Sequence, residues 1–165
     1  MTTVFTIGHS THALPAFLDL LRRHGVTALA DIRSVPRSRF NPQYNRESLE
    51  QALAGHGISY VFLGGELGGR PENPALYLDG QAQYQWVAKT EAFKFGIARL
   101  VHGAEEFTIA MMCAEKDPAE CHRARLVAPA LAREGVLVRH ILADGSIEEH
   151  EVVMERIGGG EGSPQ

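Results

Sequence analysis

Short apolar runs alternate along this chain with segments whose apolar residues recur every three to four positions, and that alternation limits the folds open to it. Val4 to Ile7, Ala28 to Ile32, Ser59 to Leu63, Phe107 to Met112 and Val136 to Leu142 read as strands. Leu14, Phe17, Leu18 and Leu21 predict a helix opened by Pro15 and closed by Gly25. Leu49 and Leu53 predict a second, from Asn45 to about Gly55. A third pattern runs from about Gln81 to His102 along the line Tyr84, Val87, Ala88, Glu91, Phe95 and Ala98, with Gly96 as a break. A fourth is predicted from Asp117, a cap residue, to Glu134, with a kink or stop at Pro129.

Strands separated by helices run parallel, because a crossover and not a hairpin joins them. The expected fold class is α/β, a single-domain layered sandwich with a largely parallel, Rossmann-like sheet. Asp144 and Gly145 predict a hairpin turn into Ile147 to Val153, which would add an antiparallel edge. The domain is expected over residues 1–157, with a flexible tail over 158–165.

In such a sheet every parallel strand ends on the same edge, and ligands bind in the crevice there. The segments that follow the strands are Gly8-His9-Ser10, Asp31-Ile32-Arg33, Gly64-Gly65-Glu66 and Cys113-Ala114-Glu115. Glycine, titratable and nucleophilic residues thus collect at one edge, whereas the segments leading into the strands hold ordinary turn residues.

Four segments carry a family resemblance: Thr6 to Ser10, Asp31 to Ser38, Leu63 to Gly69, and Cys113 to Arg123, the last ending in Cys-His-Arg. On these motifs the chain resembles the bacterial family called domain of unknown function 488, from about residue 3 to 142. The resemblance implies a compact α/β domain with these residues at its working end. It implies no reaction, so the chemistry has to come from the residues.

Cys113 ends a buried strand just ahead of a predicted helix start, where a helix dipole and the nearby Lys116, Arg123 and Arg125 would favour a thiolate. It is the candidate nucleophile, with Glu115 and His9 as candidate acid or base. Arg123 stands ten positions after Cys113, unlike the compact loop of cysteine phosphatases. The plain alternative is that both cysteines are small buried apolar groups. No metal is expected; if one binds, Cys113, Cys121 and His122 are its ligands, with Glu115 or His9 as a fourth, although adjacent helical residues point about 100° apart. A redox pair between Cys113 and Cys121 is a further alternative.

Arg33, Arg37, Arg39 and Arg46 fall close together with Phe40 and Tyr44 among them, a mixture suited to phosphate and to a base or nucleotide. Arg33, Arg37, Arg39, Arg123 and His122 are therefore expected to bind the substrate. So are Gly8 and Ser10, which can cradle an anion, Asp31, which can orient His9 or an arginine, and Glu66 in the glycine segment. The dinucleotide fingerprint Gly-x-Gly-x-x-Gly is absent. His24, His56, His102, His140 and His150 read as structural or surface residues.

Composition narrows the partners. Sixteen basic against twenty acidic residues, net −4, argue against a surface basic all over but leave room for a local basic groove. No apolar run approaches the ~20 residues of a membrane span, and no leader peptide is expected. Two cysteines cannot build a disulfide scaffold, so a cytoplasmic protein is expected. These readings converge on a small enzyme, a hydrolase or transferase, acting on a phosphate-bearing ligand such as a nucleotide or nucleic acid, so the expected partner is an anionic small molecule or nucleic acid. No particular cofactor is implied. A non-catalytic nucleotide- or nucleic-acid-binding module and a metal-stabilised structural domain are the alternatives.

Overall fold

The structure is a computed structural model that describes residues 2–161, with side chains through residue 158. In chain order it contains β1 (Thr3–Gly8), α1 (Leu14–Arg23), β2 (Ala28–Asp31), α2 (Arg46–Ala54), β3 (Ser59–Phe62) and α3 (Gly64–Leu67). A two-stranded hairpin, β4 (Tyr77–Leu78) and β5 (Gln81–Ala82), leads into α4 (Tyr84–Val87) and α5 (Glu91–Gly103). The chain closes with β6 (Ile109–Cys113), α6 (Ala128–Arg133), β7 (Leu137–Ile141), β8 (Ile147–Glu149) and α7 (His150–Glu161). The central sheet has the order β3-β2-β6-β1-β7-β8, parallel except for β8, which pairs antiparallel with β7. The α/β class, the parallel sheet and its antiparallel edge are as the sequence predicts.

Side chains alternate across the sheet, so each strand serves two cores. Val4, Ala28, Ala30, Met111, Cys113 and Val138 face α5, α6 and the segment before α6. Ile7, Leu29, Ala110, Met112 and Ile141 face α1 and α2, where Phe17, Leu21, Leu49 and Leu53 close the layer. Register places Gly8 beside Cys113 and Thr6 beside His140, which brings three strands' chemistry to one side of the sheet.

Several local expectations are corrected. The helical pattern from Gln81 divides at 88–90, where Thr90 Oγ1 accepts from Phe93 N at 3.2 Å and starts α5 afresh. Its buried face carries Phe93, Gly96, Ile97 and Leu100, while Phe95, on the line read from sequence, is exposed. Gly96 is no break: it lets α5 press against α3, and a Cβ there would meet Glu66 and Leu67 at 2.8 Å. Asn45 precedes α2 without capping it by side chain; its Oδ1 accepts from Ser38 N at 2.8 Å instead.

The single helix expected from Asp117 to Glu134 is three pieces: a 3-10 turn at Pro118–Glu120, a π-helical stretch at Arg123–Val127, and α6, with Pro129 in the first turn of α6. The last strand stops at Glu149, and α7 follows where more strand was expected. Val153 and Ile157 seat that helix against Ala119 and Ala124, and Arg156 ties it to Glu148 at 2.8 Å and Asp117 at 2.9 Å. The expected tail begins in the backbone of this helix, and residues 162–165 lie outside the described residues.

Gly96 gives a test in which two effects oppose. Alanine in a helix interior gains about 1 kcal/mol over glycine, whereas overpacking a filled interface costs about 1–3 kcal/mol. The 2.8 Å approach decides for the second. Gly96→Ala is expected to lower stability by about 1 kcal/mol in urea denaturation, against the gain that an open helix face would give.

Candidate functional site

Beyond the strand ends, β1 and β6 stay zipped together: His9 N donates to the Cys113 carbonyl and Ser10 N to that of Ala114, both at 2.9 Å. Ile32 N donates to the Met112 carbonyl at 3.0 Å on the other side of β6. This hydrogen-bonded edge floors a cleft of about 380 Å³ lined by Arg33, Ser34, Val35, Arg37, Gly69, Arg70, Tyr84, Cys113, Ala114, Glu115, Glu120 and His122. Crevice and sheet edge coincide, as the strand order requires.

Cys113 is held from behind by Arg123, whose guanidinium is fully buried. Nη1 donates to Cys113 Sγ at 2.7 Å and to the Glu115 carbonyl at 2.9 Å, Nη2 to the Lys116 carbonyl at 3.2 Å, and Nε to Thr6 Oγ1 at 3.1 Å. Arg123 does not line the cleft; it binds the loop after β6 and places positive charge on the Cys113 sulfur. Its own pKa is pushed down to about 10, first by burial. The helix dipole expected to act on Cys113 has little behind it, since only a three-residue turn starts there. The guanidinium supplies the charge in its place.

Cys121 lies behind Cys113, and the two sulfurs are in bonding contact as a disulfide. Arg123 N donates to Cys121 Sγ at 3.4 Å, and His122 Nδ1 lies 3.5 Å from the same sulfur. His122 Nε2 donates to the Ile32 carbonyl at 2.9 Å, and burial pushes its pKa down to about 4. Donor atoms of Cys113, Glu115 and Cys121 come within 4.8 Å of one another, close enough to surround a small ion. The guanidinium already on Cys113 opposes a second cation there.

Arg33 is the other buried cation, 5% exposed. Asp31 receives its Nε at 2.9 Å and its Nη2 at 2.7 Å, and Nη2 also donates to the Tyr44 carbonyl at 2.8 Å. Tyr60 completes the carboxylate with a hydrogen bond of 2.6 Å. Asp31 therefore orients an arginine, one of the two roles expected for it. Nη1 stands 3.5 Å from His9 Nε2. His9 donates from Nδ1 to the Ser10 carbonyl at 2.9 Å and stacks on Tyr44 with ring centroids 4.4 Å apart. Burial pushes its pKa down to about 4, so at neutral pH it is an uncharged prop beside Arg33, set back from the cleft lining.

The expected site residues thus divide by position. Arg33, Arg37, Cys113, Glu115 and His122 line the cleft. Gly8, His9, Ser10, Asp31 and Arg123 form the layer beneath it, where a Cβ at Gly8 would overlap the Glu115 carbonyl. Arg39 is exposed and lies over Phe40 at 5.6 Å, and Glu66 sits against Gly96, both apart from the lining. Gly64, Gly68 and Gly69 let three loops close on one another, against the Arg33 carbonyl, Ser34 and the His122 ring respectively. Sequence reasoning missed Ser34, Arg70, Tyr84 and Glu120. Arg70 directly follows the glycine motif, a signal that was present.

An open, mostly parallel α/β sheet with a cysteine and arginine cleft across its C-terminal edge is the class of protein defined by this arrangement. The family described as domain of unknown function DUF488 matches residues 13–129, and the chain belongs to that family. No curated protein and no solved structure gave a significant match. No helix among the described residues is long and apolar enough to cross a membrane.

The buried histidines set a pH dependence. Burial lowers His9 and His122 to about 4 and His140 to about 3, so between those values and about 6.5 the unfolded chain takes up protons that the folded chain refuses. Stability is therefore full above about pH 6.5 and falls on acidification, by roughly 1.4 kcal/mol per pH unit for each histidine. Urea midpoints measured from pH 7 to 4.5 should fall steadily, and His9→Gln should flatten the slope.

Proposed function

We propose that the cleft is a thiol-based active site for a phosphate-bearing ligand, a nucleotide or a nucleic acid, and that it performs hydrolysis or group transfer. The observation that carries this reading is the 2.7 Å hydrogen bond from the buried Arg123 guanidinium to Cys113 Sγ at the cleft floor. A guanidinium so placed favours the thiolate, the form in which cysteine is a nucleophile. In the reduced protein the Glu115 carboxylate takes the Cys113 thiol proton, and Cys113 attacks the ligand's electrophilic atom. Glu115 hands that proton to the leaving group, and water or an acceptor then displaces the group from sulfur and restores the thiol. Arg37 and Arg70, with the outer edge of Arg33, hold the phosphate. No cofactor enters the scheme. A cytoplasmic location belongs to the same proposal, because a reducing compartment keeps Cys113 and Cys121 as thiols. So does the treatment of residues 1–157 as one domain.

A second concavity adjoins the cleft through Gly69, Arg70 and Tyr84 and adds Tyr77, Gln81 and Arg125. Two tyrosines between arginines suit stacked bases and phosphates, which favours a nucleotide over a bare anion. The second reading is a nucleotide-binding module without catalysis, favoured by the near-complete burial of Cys113.

The decisive measurement pairs binding with turnover on a panel of nucleotides and short oligonucleotides. Cys113→Ser should keep the fold and ligand binding and lose turnover. Arg70→Ala and Arg37→Ala should each weaken binding about tenfold, near 1.4 kcal/mol. Turnover by Cys113→Ser at the parent rate would sink the nucleophile, and binding unaffected by both arginine variants would sink the phosphate site.

A further inference from the structure

A line of buried polar groups reaches Cys113 from the far end of the sheet. Arg123 Nε donates to Thr6 Oγ1 at 3.1 Å, Thr6 Oγ1 lies 2.6 Å from His140 Nδ1, and His140 Nε2 lies 3.1 Å from His150 Nδ1. Thr6, Arg123 and His140 are fully buried, and His150, half-buried at the start of α7, opens the line to solvent.

The groups in it can be satisfied as one line. A guanidinium has donors only, so the Thr6 oxygen accepts from Arg123. With the Thr6 hydroxyl hydrogen directed at His140 Nδ1, His140 carries its proton on Nε2 and donates to His150 Nδ1, which leaves the His150 proton on Nε2. This arrangement gives the buried Thr6 hydroxyl an acceptor as well as a donor, and it starts from the group that touches the Cys113 sulfur.

The sheet explains why the line is stiff. Thr6 and His140 are register partners on β1 and β7, so their contact is dictated by strand pairing. The other oxygens that hold Arg123 belong to Glu115 and Lys116, in an exposed loop. Thr6 is the guanidinium's anchor to a strand.

We propose that Thr6, His140 and His150 are positioning residues that hold the Arg123 guanidinium on the Cys113 sulfur and thereby set its reactivity. This rests on the reading of Cys113 as a thiolate nucleophile. The groups facing that sulfur are Arg123, Glu115 and Cys121, with His122 against the Cys121 sulfur. Those facing the histidines are Arg123, Asp117 and Arg156, with Glu151 beside His150.

The test is the pH profile of Cys113 alkylation by iodoacetamide in the reduced protein, read by peptide mass spectrometry. Tryptic cleavage after Lys116 puts Cys113 and Cys121 on separate peptides. The parent protein should show an inflection well below the free-thiol value of about 8.5. Thr6→Val should raise that inflection by about one pH unit and slow modification roughly tenfold at pH values below the parent inflection, and Thr6→Ser should restore both. His150→Phe should shift the inflection the same way by a smaller amount.

A folded Thr6→Val protein with the parent inflection overturns the proposal. Should Thr6→Val not fold, His150→Phe decides, and an unchanged inflection there overturns it equally. The two readings fail differently. A parent inflection near the free-thiol value removes the nucleophile itself, whereas a low inflection that no variant moves removes only the positioning role.

Discussion

The buried guanidinium of Arg123 is the interaction on which the site depends. A charge taken out of water is costly unless its hydrogen-bonding groups are met. Among the described residues, the hydrogen bonds of Arg123 go to no carboxylate: they end on two loop carbonyls, a threonine hydroxyl and the Cys113 sulfur. The loop after β6, the side of β1 and the sulfur at the cleft floor are thereby locked to one group. The carboxylates that act on it through space are those of Glu115 and Asp117.

A parallel arrangement holds the second buried cation. Arg33 is paired with Asp31, itself fixed by Tyr60, so each of the two buried arginines has its place set by the groups it bonds. The difference lies in direction. Arg33 reaches the cleft wall, while Arg123 points inward. One arginine is thus available to a ligand, and the other acts on a neighbouring side chain.

Much of this was legible in the sequence. The alternation of periods sufficed to place Gly8, Asp31, Glu115 and Cys113 at one edge, because parallel strands can only end together. What stayed hidden was direction. Arg123 reads on paper both as an anion ligand and as a charge beside Cys113, and the structure keeps it buried and off the cleft lining. Phe95 misled because the helix start at Thr90 rotates the buried face of α5 onto Phe93, Ile97 and Leu100. His140 and His150 carry no motif; their pairing with Thr6 exists only once β1 and β7 lie in register. At Gly64 and Gly68 the space a side chain would take is filled by the protein's own loop at Arg33 and Ser34.

The extension of the β1–β6 ladder through His9 and Ser10 has a consequence for how such a molecule can diversify. The residues that would do chemistry are stitched into the sheet and inherit its rigidity. Those at the mouth, Val35, Arg37 and Arg70, stand on connecting segments outside the central sheet. Exchange at the mouth alters what is admitted and leaves the reactive floor untouched, whereas exchange on the floor unpicks the sheet. Under the proposed function, the architecture separates the choice of substrate from the capacity to react with it.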